Sequence, residues 1–393
     1  WWPSTDVGRS DGEHVMTGEP GLTVGVEEEF MLVDQDSGEL LQEAPVALLA
    51  AFQDAIGPQV TTEFLQCQIE TGTKVCRSMR ELSDELIGLR SAVSSVAQEH
   101  GLAVIASSTH PTAGRDAARR TKKERYRVLA EDLQEVVRRL VICGMHIHVG
   151  IDDEDLRLDF MAQTTYILPH LLALTTSSPF WRGKDTGLRS YRISVWDEMP
   201  RTGLPPNFAS YGEYERHVDV LVQAGVIPDG TMIWWDLRPS WRFPTIETRI
   251  CDVCTSLEDA VAVAALLRCW VHMLWRLRRQ NQRWRSYEPM LLNENRWRAQ
   301  RYGTDEGMID FGRGTIVGFD DLVDEVIELL DEDADALDCR AELAHLRTIL
   351  ERGTSAHRQL EVFHAALDGG ADEDEAGRAV IDWLRTETVA SCR

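Results

Sequence analysis

The sequence is short of positive charge. Its 393 residues include 41 Lys and Arg against 65 Asp and Glu, which gives a formal net charge of −24 at pH 7. An acidic excess of this size argues against a broad electrostatic surface for nucleic acid or anionic lipid. The 43% hydrophobic content and 12 Trp indicate a buried core rather than a disordered chain. The predicted partners are therefore small molecules and not nucleic acid.

Long hydrophobic runs are also missing. No uninterrupted apolar run reaches the roughly 20 residues that span a bilayer. The longest candidate, residues 260–267, lies between acidic residues and Arg268, and it predicts a buried helix. Residues 1–20 lack the basic start and apolar stretch of a secretory signal, and they predict a flexible arm. The expected location is the cytoplasm, with no membrane segment.

The eight Cys are scattered and lack the spacing of a small disulfide scaffold. Cytoplasmic thiols are normally reduced, so disulfides are not expected. Cys251 and Cys254 have the spacing of a redox or zinc-ligand pair, but no second pair accompanies them. Buried free thiols are therefore predicted at both positions.

No glycine-rich phosphate loop follows a predicted strand, and strands and helices alternate irregularly along the chain. This pattern disfavours a Rossmann or P-loop domain and favours an α+β fold with an antiparallel sheet. Periodicity predicts a strand over residues 64–69 and single helices over 78–100, 121–141, 155–175 and 257–279. Residues 21–393 are predicted to form one catalytic domain, which is mostly helical beyond about residue 303.

Polar and apolar side chains alternate in the first predicted strand. Because successive strand residues point to opposite faces, Val26 and Phe30 face a core while Glu27 and Glu29 share the other face. Two carboxylates about 7 Å apart on one strand repel each other unless a cation or a base lies near them. The plainer interpretation is an exposed edge strand. Glu28 falls on the apolar face, and the sequence offers no partner for it.

Three further segments repeat this alternation. Their polar faces carry His146 and His148, then Glu247 and Arg249, and finally Gln66, Gln68 and Glu70. Glu63 has the wrong parity, so it must reach this face from the strand start or across a bulge. Each pattern alone is common in ordinary cores and surfaces. Four such strands together predict a sheet with one face on helices and the other lining a polar cavity.

Oxygen-rich ligand sets with an occasional imidazole suit Mg²⁺ or Mn²⁺ rather than structural zinc. Arginines in the neighbouring loops, among them Arg189 and Arg192, would add an anion clamp. Surface pairing with the abundant acids explains each arginine equally well when it is taken singly. Carboxylate-held divalent ions flanked by arginine are typical of phosphoryl transfer from a nucleotide.

Five segments then occur in order between about residues 21 and 267: VGVEEEF, EFLQCQIETGT, CGMHIHVGI, SSPFWRGKDTGLRSYR and RPSWRFPTIETRICD. They resemble the carboxylate–amine ligases of the glutamate–cysteine ligase type 2 family. The resemblance implies a glutamine synthetase-like curved antiparallel sheet, with ATP and Mg²⁺ (or Mn²⁺) on its concave polar face and helices on the other. It also implies ATP-dependent amide formation through an acyl phosphate, with a glutamate-like carboxylate and cysteine or another amine as substrates.

The resemblance also implies roles for single residues. The metal ligands would be Glu27, Glu29, Glu63, Glu70, His146 and Glu247. The nucleotide or phosphate contacts would be His146, His148, Arg189 and Arg249, and the catalytic arginines would be Arg192 and Arg249. Arg189 and Arg192 carry the least specific of these correspondences.

Alternatives to a ligase stay open at this stage, because a fold does not fix a function. One is a phosphotransferase on the same sheet that stops at a phosphorylated product. Another is a metal-dependent hydrolase that needs no ATP, and a third is a non-catalytic descendant that binds metabolites. The identity of the two substrates, the number of metal ions and a homo-oligomeric state are also open.

Overall fold

In the computed structural model, the described residues are 18–63, 65–113, 121, 134 and 140–392. The strands are β1 (Val24–Asp34), β2 (Val60–Thr62), β3 (Gln68–Gly72), β4 (Leu102–Ile105), β5 (Met145–Gly150), β6 (Phe180–Trp181), β7 (Lys184–Asp185), β8 (Leu237–Pro239), β9 (Thr245–Thr248), β10 (Met308–Asp310) and β11 (Thr315–Val317). Seven of these form one antiparallel sheet in the order β2-β3-β1-β5-β9-β8, with β4 paired to the far end of β1. The pairs β6–β7 and β10–β11 are small separate ribbons.

The described residues also form α-helices. They are α1 (Val46–Ile56), α2 (Met79–Glu99), α3 (Glu154–Thr164), α4 (Leu168–Thr175), α5 (Tyr191–Trp196), α6 (Tyr211–Gln223), α7 (Leu257–Arg279), α8 (Pro289–Tyr302), α9 (Phe319–Leu329), α10 (Asp331–Leu337), α11 (Arg340–Arg352), α12 (Ser355–Asp368) and α13 (Glu373–Thr388). Helix α2 begins where the Ser78 side chain accepts a hydrogen bond from the Glu81 backbone N–H, at 3.2 Å.

One face of the sheet packs on helices α2 and α7. The side chains of Val24, Val26 and Phe30, which alternate along β1, are buried on this face. Helix α7 is long and apolar enough to span a membrane, but 78% of its most apolar window is buried inside the molecule. Its position at the centre of the core accounts for that composition.

The structure corrects two predicted elements. The strand placed at 64–69 begins only at Gln68, and residue 64 lies outside the described residues. The single helix predicted over 155–175 is two helices, α3 and α4, because Pro169 near the start of α4 has no backbone N–H to continue the ladder. The helix predicted over 121–141 falls almost entirely outside the described residues, as do residues 1–17 of the predicted arm.

Beyond residue 303 the described chain forms the β10–β11 hairpin followed by helices α9 to α13. The hairpin was not predicted, because its strands have three residues each and give no periodic signal. All eight cysteines are free thiols, and seven of them, including Cys251 and Cys254, are buried. The prediction of buried free thiols is confirmed at those two positions.

Candidate metal centre

The pairing of β3, β1, β5 and β9 aligns the predicted acids and histidines across the sheet. The register sets Glu70 opposite Glu29, Glu27 opposite His146, and His148 opposite Glu247. Directly opposed residues in an antiparallel pair point to the same face. The polar face predicted from strand parity is therefore present, and it crosses four neighbouring strands.

Glu27, Glu70 and His146 form the first group whose side-chain ligand atoms converge. One ligand atom from each lies within 4.8 Å of the other two. His146 Nδ1 lies 2.9 Å from Glu27 Oε2, and its Nε2 lies 3.9 Å from Glu29 Oε1. Two carboxylates with one imidazole match the donor preference of Mg²⁺ or Mn²⁺.

A second group shares Glu27 and consists of Glu27, His148 and Glu247, again with ligand atoms within 4.8 Å. His148 Nδ1 is hydrogen-bonded to Thr245 Oγ1 at 2.9 Å, which fixes the ring with Nε2 3.5 Å from Glu27 Oε1. A second hydrogen bond of this kind is what orients a metal-binding imidazole. The sequence had indicated His148 only as a nucleotide contact.

Carboxylates crowd the β3 side of this face. Burial, followed by the neighbouring charge of Glu63, raises the pKa of Glu29 to about 8. Burial and the same neighbour also raise the pKa of Glu70. Glu29 accepts a hydrogen bond of 2.6 Å from the Gly144 backbone N–H. Glu63 follows β2 rather than beginning β3, so it reaches the site from the adjacent strand. Neighbouring carboxylates repel one another when they are all ionised, and a bound divalent cation would remove that repulsion.

Glu247, at the opposite side, is held by two arginines. Arg238 Nε and Nη2 donate to its two oxygens at 3.0 and 2.9 Å, and Arg249 Nη1 donates to Oε1. Burial opposes the charged form, but Arg238 and Arg249 outweigh it and hold the pKa of Glu247 well below its usual range. Arg238 was one of the loop arginines that the sequence offered as an anion clamp. Its contact with Glu247 was not predicted, because the β8–β9 pairing that places the two residues opposite each other is not visible in the sequence.

Arg249 keeps unused donor capacity at this site. Its Nε is buried and has no hydrogen-bond partner among the described residues. Its guanidinium lies 5.5 Å from the centre of the Trp196 ring, a distance at which a cation and an aromatic face attract each other. An arginine with a free N–H beside the two groups of converging ligand atoms is suited to bind an anion such as phosphate.

Arg192 lies beside this arginine but is occupied by the backbone. It donates to the carbonyls of Ile250 and Arg249 at 3.2 and 3.0 Å. Its guanidinium passes so close to Gly144 that a Cβ at that position would overlap it. Arg192 therefore supports the chain around Arg249 and Glu29, and a direct catalytic role for it stays a prediction.

Arg189 is directed elsewhere. Its Nη2 pairs with Asp305 at 2.8 Å, and its backbone N–H donates to the carbonyl of Gln300. These two contacts join Arg189 to α8 and to the loop that follows it rather than to the carboxylate face. Its predicted role as a phosphate or carboxylate contact stays a prediction.

Glu28, for which the sequence offered no partner, is paired on the opposite face of β1. Arg90 of α2 donates Nε and Nη2 to its two carboxylate oxygens at 3.0 and 2.5 Å. Both side chains are fully buried. The three consecutive glutamates of β1 thus have two separate surroundings, with Glu28 in the helix-packed core.

An apolar cavity of about 290 Å³ opens beside β8. Its lining residues are Pro206, Asn207, Phe208, Glu213, Tyr214, His217, Val218, Leu221, Ile233 and Trp235. The hydroxyl of Tyr214 is buried and has no hydrogen-bond partner among the described residues. Burial raises the pKa of Tyr214, and the charges of Arg238 and Glu247 also act on it. Arg238, which holds Glu247, also donates to the carbonyl of the lining residue Ile233 at 2.6 Å, so the cavity adjoins the Glu247 side of the carboxylate face.

Known sequences match this chain over nearly its whole length. The sequence model of glutamate–cysteine ligase family 2 matches residues 23–381. A protein of Rhodospirillum rubrum named "Putative glutamate–cysteine ligase 2" is 60% identical over 376 residues, which cover 95% of this chain and 97% of that protein. A protein of the same name from Jannaschia sp. is 52% identical and covers 92% and 96% of the two chains.

Solved structures of ligases share the fold. A glutamate–cysteine ligase from Francisella tularensis, in complex with AMP, aligns over 95% of this chain and 94% of its own with a TM-score of 0.65 and 13% identity. A bifunctional glutathione synthetase from Pasteurella multocida gives a TM-score of 0.68 at 13% identity, and the match covers 93% of this chain and 52% of that one. At these identities the likeness concerns the fold, and the predicted α+β, glutamine synthetase-like class is confirmed.

Proposed function

Because this chain belongs to glutamate–cysteine ligase family 2, we propose that it is an ATP-dependent ligase that joins the γ-carboxyl of glutamate to cysteine or a related amine. The observation that carries the proposal is the pair of ligand groups that share Glu27, with the unfilled donor of Arg249 beside them. One carboxylate between two cation positions, next to an arginine, suits a nucleotide polyphosphate.

The donor sets fit divalent cations, since each group combines two carboxylates with one imidazole. The residues that would hold them are Glu27, Glu70 and His146 in one position, and Glu27, His148 and Glu247 in the other. Mg²⁺ bound there would neutralise phosphate oxygens and hold the polyphosphate in place. Mn²⁺ would fit the same ligands.

The reaction we propose has two steps. A carboxylate oxygen of glutamate attacks the γ-phosphorus of ATP, and the bond from that phosphorus to the bridging oxygen breaks, which releases ADP and leaves an acyl phosphate. The amine nitrogen then attacks the acyl carbon, the carbon–oxygen bond to phosphate breaks, and the amine proton passes to solvent. Arg249 donates to the charge that develops on the transferred phosphoryl group, while Arg238 keeps Glu247 ionised and in place.

The proposal is tested by measuring phosphate release with ATP and Mg²⁺ over pairs of amino acids and amines, with mass spectrometry of the products. Phosphate release that needs both an acid and an amine, with a new amide in the products, is the expected result. A stable phosphorylated acid without any amine would instead identify a phosphotransferase. Hydrolysis of an amide without ATP would identify a metal-dependent hydrolase, and inactivity with every pair would favour a non-catalytic protein.

Replacing Arg249 with lysine should lower kcat by about 10²-fold. An ammonium restores the charge, but it cannot donate from a planar fork or stack on Trp196 as the guanidinium does. The measurement is steady-state phosphate release with the best substrate pair. Arg242→Lys is the matched control, because Arg242 is exposed in the neighbouring loop and should keep the wild-type rate. An unchanged kcat in Arg249→Lys would remove this residue from the phosphate site.

We further propose that the cavity beside β8 receives the adenine base of ATP. Its wall is aromatic, with the ring centres of Phe208 and Trp235 5.9 Å apart and those of Phe208 and Tyr214 5.6 Å apart. Flat aromatic walls favour stacking on a base. The adjacent Arg238 and Glu247 belong to the side of the face where the second cation position lies. A polyphosphate at that position would leave the base within reach of the cavity.

Trp235→Ala should raise the KM for ATP by about tenfold or more, because base stacking on an aromatic side chain contributes about 1–3 kcal/mol. The KM values for the acid and amine substrates should change little. Trp297→Ala removes a half-exposed indole from α8 and is the control for loss of a tryptophan. A raised KM for the amine with an unchanged KM for ATP would assign the cavity to the amine substrate instead.

A further inference from the structure

A buried arginine of helix α8 joins two loops of the candidate site. Arg296 of α8 donates Nε to Asp236 Oδ2 at 2.6 Å and Nη2 to Asp236 Oδ1 at 3.2 Å. Its Nη1 and Nη2 also donate to the two oxygens of Asp197, both at 2.7 Å. Arg296 is 7% exposed and Asp236 is fully buried. One guanidinium therefore holds two carboxylates in a fixed relation.

Asp197 is adjacent in the chain to the aromatic residue that lies against the arginines of the phosphate site. It directly follows Trp196, the last residue of α5. The guanidinium groups of Arg192 and Arg249 lie 5.6 and 5.5 Å from the centre of the Trp196 ring. A shift of Asp197 would move this ring, and the two arginines in contact with it would move as well.

Asp236 positions the two arginines of the site through its backbone and its neighbours in the chain. Its backbone carbonyl accepts a hydrogen bond from the Arg249 backbone N–H at 2.8 Å. Arg238, two residues further along the chain, makes the two-pronged contact with Glu247. The Asp236 segment therefore fixes the position of the Arg249 backbone and the position from which Arg238 contacts Glu247.

We propose that Arg296 is a positioning residue, which sets Arg249 and Arg238 for the ATP phosphates by fixing Asp197 relative to Asp236. This inference rests on the proposed function, and it assigns helix α8 a part in the phosphate site. A planar guanidinium with five donors can hold two carboxylates at once, whereas a lysine ammonium is a point charge that cannot reproduce both two-pronged contacts. The identity of Arg296, and not only its charge, is therefore decisive.

Arg296→Lys is the test variant, because it keeps the charge. The expected result is a rise of at least about tenfold in the KM for ATP, together with a lower kcat, while the KM values for acid and amine stay within about twofold. A residue that merely stabilises the fold would lower the amount of active protein without separating these constants. Arg298→Lys is the matched control, since Arg298 of the same helix donates to the carbonyls of Gly307 and Glu306 instead.

A second variant keeps the test decisive if Arg296→Lys does not fold. Arg296→Met combined with Asp236→Asn removes the arginine without leaving an unpaired charge in the core. A folded double variant with a raised KM for ATP supports the proposal, and one with the wild-type KM overturns it. An unchanged KM for ATP in Arg296→Lys overturns it as well.

Equilibrium dialysis of Mg²⁺-ATP against each variant separates this inference from the proposed function. Wild-type protein that binds Mg²⁺-ATP but forms no amide would contradict the ligase assignment, while weaker binding in Arg296→Lys would still support the positioning role. Wild-type protein that binds no ATP would contradict both.

Discussion

Replacing Glu27 with glutamine should abolish ligase turnover, with a loss on the order of 10³-fold or more. Glu27 is the one residue shared by both groups of converging ligand atoms, so its loss weakens two cation positions at once. Its charged form is also favoured before any cation binds. Burial raises the pKa of Glu27, but hydrogen bonds from His146 and His148 outweigh burial and lower it. The neutral amide has neither this charge nor a second acceptor oxygen for a second cation.

Metal binding can be measured without catalysis. Mn²⁺ should raise the melting temperature of the wild-type protein, because a ligand that binds only the folded state stabilises it. The same addition should leave Glu27→Gln nearly unchanged. Glu39→Gln is the control, since Glu39 is an exposed acid just beyond the end of β1. If Glu27→Gln kept full activity and the full thermal shift with Mn²⁺, Glu27 would not be a metal ligand.

Alternation within a strand was enough to find most of this site. Glu27 and Glu29 on β1, His146 and His148 on β5, and Glu247 on β9 all lie on the face that parity predicted. Parity is a local property of an extended backbone, because each side chain must point opposite to its neighbours. It needs no knowledge of which strands pair.

Pairing between strands is what the sequence could not supply. The grouping of His148 with Glu27 and Glu247 depends on the β1–β5 and β5–β9 registers, which are set by contacts distant in the chain. The role of Arg238 depends in the same way on β8–β9 pairing. The contact of Arg189 with Asp305 joins segments that are likewise distant in the chain, and the phosphate or carboxylate role that the resemblance implies for Arg189 stays a prediction.

The fold was predictable at the level of class and less so in its details. The long helices α2 and α7 were predicted to within one residue at each end, because their apolar residues recur over more than five turns of helix. The break between α3 and α4 was missed although Pro169 signals it, since the apolar pattern continues across the interruption. Glu28 shows a different limit, because the partner of a buried charge comes from a distant helix and leaves no local signal.

Among the substitutions proposed for this protein, Arg90→Met should cause the largest loss of stability. It should lower the free energy of unfolding by about 3–5 kcal/mol. Arg90 makes a two-pronged pair with Glu28 and also donates to the carbonyls of Cys254, Thr255 and Thr388. Removing the guanidinium leaves the Glu28 carboxylate buried without a cation and leaves three carbonyls without this donor. Urea denaturation followed by circular dichroism measures the loss.

Two further variants test whether this loss of stability comes from the unpaired charge of Glu28. Arg80→Met removes an exposed arginine from the first turn of the same helix and should change stability by no more than about 0.5 kcal/mol. Arg90→Met combined with Glu28→Met should recover much of the stability lost in the single variant, because apolar replacement of both members of a buried pair is often tolerated. Equal stability of Arg90→Met and the wild type would mean that the buried pair of Arg90 with Glu28 contributes nothing to the stability of the fold.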